Sequence, residues 1–120
     1  MLEGIIKKLE EMDFSQMDIE KILEQRDMPA FDKEWMKVYE QLEQLKKEKV
    51  YSDADREDCK ILRQEVFEFV YDQTEDDDLA GYISDDFGLI YDSLKLDYQS
   101  EWMDKFLHQY LNGQVPTGEC

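Results

Sequence analysis

In segment after segment of this chain the apolar residues recur at intervals of three and four, the period of an α-helix that buries one face. Nowhere do they alternate with polar residues through a β-branched run, as a half-buried strand requires. Leu2, Ile5, Ile6, Leu9 and Met12 mark a short first helix. Ser15 is placed to cap a second, with Asp18 at the capping-box position and Phe14 able to staple onto Ile19; that helix should end near Arg26. Pro29 breaks the pattern, after which Phe31, Trp35, Val38, Leu42 and Leu45 run through a long third segment to near Val50. Ser52-Asp53-Ala54-Asp55 repeats the capping-box pattern and opens a helix carrying Leu62, Val66, Phe69 and Val70. The short turn before it predicts that the third and fourth helices are antiparallel neighbours.

Glu75-Asp76-Asp77-Asp78 suits the positive end of a following helix, whose apolar residues are Leu79, Ile83, Phe87, Ile90 and Leu94. Gly81 and Gly88 each weaken that helix by about 1 kcal/mol relative to Ala, and Ser84 could cap a second piece, so one helix and two remain alternatives here. Ser100 caps the last helix, where Trp102, Met103, Phe106, Leu107, Tyr110 and Leu111 form the stripe and Gly113 and Pro116 supply stop signals. The reading is all-α: a single compact bundle of five or six helices, one domain over residues 1–120, with 114–120 a frayed tail.

With 120 residues and 42% hydrophobic side chains, the chain has the apolar content of one globular core and needs no disulfide staple. The two cysteines agree, since Cys59 falls in a helix and Cys120 ends the tail. Lys7 and Lys8 interrupt the first apolar stripe, and no apolar run resembles a signal peptide, so a cytoplasmic protein is expected.

Few residues here suit chemistry, which favours binding over catalysis. His108 is the only histidine, and it shares the polar side of the last helix with Asp104, Lys105 and Asn112; an Asp104–His108 pair is an ordinary surface contact. Cys59, Cys120 and His108 fall short of four zinc ligands. Asp53, Asp55 and Glu57 open like a calcium loop, but Asp58 stands where glycine is needed and Gln64 where the closing glutamate belongs. One histidine cannot supply the paired Glu-x-x-His of a di-iron bundle, and no glycine-rich phosphate loop is present. No metal or cofactor is expected, and acidic side chains are too abundant for any one carboxylate pair to mark a hydrolase.

Charge is the most unusual bulk property. The chain carries 31 acidic against 14 basic side chains, and Glu65 to Asp104 holds 13 acids and one base, Lys95. Such a surface repels nucleic acid and anionic membrane and attracts basic proteins. A charge run is most often a solvated face, but this density exceeds what solubility needs, and Tyr71, Tyr82, Tyr91 and Tyr98 are interleaved with it. Aromatics that anchor among carboxylates that steer make an interface for a basic partner. The candidate partner-binding residues are Asp76, Asp77, Asp78, Asp85 and Asp86, with Tyr82 and Tyr91 as anchors.

Tyr82-Ile83-Ser84-Asp85-Asp86-Phe87-Gly88-Leu89-Ile90, and the Trp102 to Pro116 segment ending Tyr110-Leu111-Asn112-Gly113-Gln114-Val115-Pro116, resemble small bacterial immunity proteins of polymorphic or contact-dependent toxin systems. The resemblance covers about a third of the chain and brings no catalytic residues. It implies a cytosolic antidote that binds one toxin domain, often a nuclease. Two other binding roles fit the same composition: a nucleic-acid mimic that occupies basic grooves, and an adaptor that self-associates through the Phe31–Val50 helix.

Overall fold

The computed structural model describes residues 2–118, and among them the secondary structure is entirely helical. Six α-helices follow in order: α1 Leu2–Glu10, α2 Ile19–Arg26, α3 Pro29–Glu48, α4 Asp53–Thr74, α5 Asp77–Lys95 and α6 Glu101–Leu111, with a 3-10 turn, Phe14–Gln16, before α2. The all-α expectation holds, and its open question is settled: residues 77–95 form one helix.

Several boundaries moved for local reasons. Asp18, not Ser15, caps α2, accepting from Lys21 N at 3.2 Å, while Asp13 caps the 3-10 turn that holds Ser15. Pro29 separates α2 from α3 as expected and is itself the first residue of α3, because a first-turn proline lacks only an N–H that has no helical partner. The Ser52–Asp55 capping box forms as expected, with bonds of 3.0 and 3.1 Å in the two directions. Gly113, at φ 76°, closes α6 in a Schellman turn: Gln114 N donates to Gln109 O and Gly113 N to Tyr110 O, both at 2.9 Å. The tail expected to fray is anchored as far as Thr117, whose N–H donates to Gln109 Oε1 at 3.1 Å beside buried Val115. Cys120 lies outside the described residues.

The chain divides into two compact units. Residues 2–37 and 99–118 form the first, in which α1 packs on α6. Its core is aromatic: the Phe106 ring lies 4.9 Å from Trp102, 5.7 Å from Tyr110 and 6.4 Å from Phe31. Arg26 is buried with its guanidinium 4.5 Å above the Phe31 ring, so aromatic faces receive its charge.

Residues 38–98 form the second unit, dominated by the pairing of α4 with α5. The short turn had pointed to α3 as the partner of α4; instead the two-residue link after α4 folds α5 back along it. Asp55 faces Lys95, Cys59 faces Gly88, and Arg63 faces Ser84 and Asp85, so the helices run antiparallel. Glu75 turns the chain there in the left-handed conformation, φ 55°. Between Leu79 and Ser93 only Gly81, Tyr82 and Asp85 escape full burial, which makes α5 the central helix of this unit.

Candidate partner-binding face

The expected interface residues all lie on or just before α5, and the helix separates them into two groups. Asp76 is its N-cap, half-buried and accepting from Leu79 N at 2.9 Å. Asp77 and Asp78 are exposed in the first turn, where the macrodipole favours negative charge. The three carboxylates can bring oxygens within 4.8 Å of one another, concentrating the field at this end of the helix. Tyr82 is half-buried one turn on, and Asp85 is exposed and paired with Arg63 at 2.6 Å. Asp78, Gly81, Tyr82 and Asp85, spaced three and four apart, therefore form one outward stripe.

Asp86 and Tyr91 lie on the inward side, 0% and 7% exposed. Among the described residues the Tyr91 hydroxyl has no hydrogen-bond partner, and burial, with Asp55 and Asp58 nearby, pushes it up to about 12. A signal for this burial was in the sequence: Ala80 and Leu89 add apolar positions off the main stripe of α5, as in a helix covered on most sides.

Sequence reasoning missed two other groupings. On α4, the Phe67 and Tyr71 rings stack with centroids 6.2 Å apart and planes 5° from parallel, and Tyr71 remains 43% exposed. Four-residue spacing gave the signal, but Phe67 was passed over and Tyr71 was read only as one of the tyrosines among the acids. The second is a buried polar cluster at the other end of α5. Asp92 receives the Tyr51 hydroxyl and pairs with Lys46 at 2.9 Å, Lys46 also meets Glu43 at 2.8 Å, and Lys49 donates to Leu96 O at 2.6 Å. Those contacts tie the end of α3 and the loop after it to α5, between residues too far apart in sequence for any spacing rule.

The cluster has the character of a structural fastening. Burial, aided by Asp92, raises the Tyr51 hydroxyl far above its ordinary range. Cys59, donating weakly to Gly88 O at 3.9 Å, is pushed up by burial to about 11, so its thiol stays protonated near neutrality and is a poor nucleophile. His108 and Asp104 are exposed on α6, as their polar face implied. No helix among the described residues is long and apolar enough to cross a membrane.

No curated protein matches the sequence. A family model described as Immunity protein PIM1 matches residues 3–117 and bears out the resemblance to immunity proteins, extending it from a third of the chain to nearly all of it. On that match, the chain belongs to the Immunity protein PIM1 family.

Proposed function

We propose that this protein is a cytoplasmic antidote that binds a cognate toxin domain with a basic, nuclease-like surface and neutralises it by occlusion, without catalysing a reaction. The family match carries the antidote reading, because an immunity protein implies a toxin partner. Charge supports its finer part. Residues 38–98 hold 18 acids and 7 bases, and the α5 stripe faces outward within that field. Asp76, Asp77, Asp78 and Asp85 steer the partner and Tyr82 anchors it, while Asp86 and Tyr91 hold the face from beneath. Steering of this kind raises association rates toward roughly 10⁸ M⁻¹s⁻¹ at low salt, which suits an antidote competing with toxin action.

The test begins with affinity capture from the source organism, washed at about 0.15 and 0.5 M salt. One basic toxin-like domain surviving the second wash is the expected result; many basic proteins, all lost at high salt, would reduce the acidic face to a simple polyanion. Association of the recovered domain is then measured with Asp77, Asp78 and Asp85 changed to Lys. These exposed positions leave the fold intact, whereas reversing Asp86 would bury an ammonium and reversing Asp76 would remove a cap. Association should slow at least about tenfold with unchanged helical circular dichroism. A wild-type rate would move the interface elsewhere.

A further inference from the structure

Two glycines lie inside α5, and the fold accounts for one of them. A Cβ at Gly88 would stand 2.7 Å from Arg63 Cδ, so glycine there lets Arg63 lie against the helix and reach Asp85. Gly81 has no such reason. It is an ordinary helical residue with no left-handed φ, and a Cβ there would meet nothing within 4 Å. A mid-helix glycine nonetheless weakens its helix relative to Ala. A local rule broken without internal compensation points to something outside the fold.

The surroundings of Gly81 indicate what that is. Arg63 of α4 meets α5 at Ser84, Asp85 and Gly88. In an antiparallel pair the next turns of α4, bearing Phe67 and Tyr71, therefore run alongside Gly81 and then Asp78. Helical side chains lean toward the N-terminus, so Asp85 leans toward the turn that holds Gly81 while its carboxylate bonds Arg63. By that register the open position at Gly81 lies on the same face as the stacked Phe67–Tyr71 pair and Asp85, within an acidic field. A guanidinium matches it: planar, weakly hydrated, able to stack on aromatic faces and to bond a carboxylate through two N–H groups. An ammonium can sit over one ring, as Lys46 does over Tyr51, but cannot stack flat or present a planar pair of N–H groups to the carboxylate.

We infer that Gly81 is the floor of a slot that receives one arginine side chain of the toxin, stacked beside Phe67 and Tyr71 and sharing Asp85 with Arg63; this rests on the antidote reading above. The slot explains why the face needs a glycine as well as acids, and it makes alanine at that position a better helix former and a worse binder.

The direct test is a ¹⁵N NMR titration of the full chain with N-acetyl-arginine amide, and with N-acetyl-lysine amide as the cationic control. The arginine probe should shift the amides of Phe67, Tyr71, Gly81, Tyr82 and Asp85 and bind at least about threefold more tightly than the lysine probe. Gly81→Ala should weaken the arginine probe about tenfold while raising Tm by about 4 °C. Gly4→Ala, in the first turn of α1 and equally open, should leave probe binding unchanged. Equal responses to both cations, or wild-type affinity in Gly81→Ala, overturns the slot. The recovered toxin domain separates the slot from its parent reading: equal binding to wild type and Gly81→Ala removes the slot and leaves the antidote standing, while a wild type that binds no toxin removes both.

Discussion

Replacing Asp92 by alanine should be among the most damaging single changes to a charged residue in this protein. The Asp92 side chain is 10% exposed, accepts the Tyr51 hydroxyl, and pairs at 2.9 Å with Lys46, whose side chain is 11% exposed. Removing one partner of a buried pair costs about 3–5 kcal/mol when the other charge is stranded. Here Lys46 keeps Glu43 at 2.8 Å, on the more solvated side, and so retains one counter-charge. The lower end of that range applies, about 3 kcal/mol with the lost Tyr51 bond included. For a chain of this length that is a fall of about 12 °C in Tm. Urea titration at pH 7, followed by circular dichroism, measures it. The double-mutant cycle with Lys46→Met should return a coupling of about 1–2 kcal/mol. A loss under about 1 kcal/mol, the range of an exposed pair, would refute the buried arrangement.

Two further outcomes follow from the same geometry. Stability should decline on the alkaline side, because the relevant groups all hold their protons more tightly when folded. Cys59 is raised to about 11 and Tyr91 to about 12, chiefly by burial. Burial pulls Lys46 down, but its bonds and charge contacts with Glu43 and Asp92 outweigh that and raise it. Their stabilisation is present below the unfolded values and is lost from about pH 9 upward as pH climbs through the folded ones; urea midpoints that stayed flat between pH 8 and 11 would contradict it. In the aromatic core of the first unit, Phe106→Ala should cost about 4 kcal/mol, since the ring is fully buried against Trp102 and Tyr110; a change below about 2 kcal/mol on thermal melting would deny that packing.

The helices were legible because each is written locally. The α1 and α6 stripes, the Ser52–Asp55 box, Ser100 as a cap and Gly113 as a stop act within a few residues, so spacing alone reveals them. The α2 cap was misassigned to Ser15 because Asp13, Ser15 and Asp18 compete over one short stretch, and only the intervening 3-10 turn decides among them. The candidate face was half legible. Acids and tyrosines at α5 announced themselves by density, but density does not say which side of a helix is covered.

By itself the sequence determined an all-helical chain, the place of its helices, a strongly acidic second half and a likeness to immunity proteins, since periodicity, caps and charge need no partner to be read. Tertiary structure decided that α4 pairs with α5, that Asp86 and Tyr91 turn inward while Asp85 turns outward, that Tyr51, Lys46 and Asp92 meet, and that Gly88 has an internal reason and Gly81 none. Each of those depends on which face of a helix its neighbours occupy. That is fixed by packing between residues distant in the chain, and a one-dimensional pattern carries no record of it.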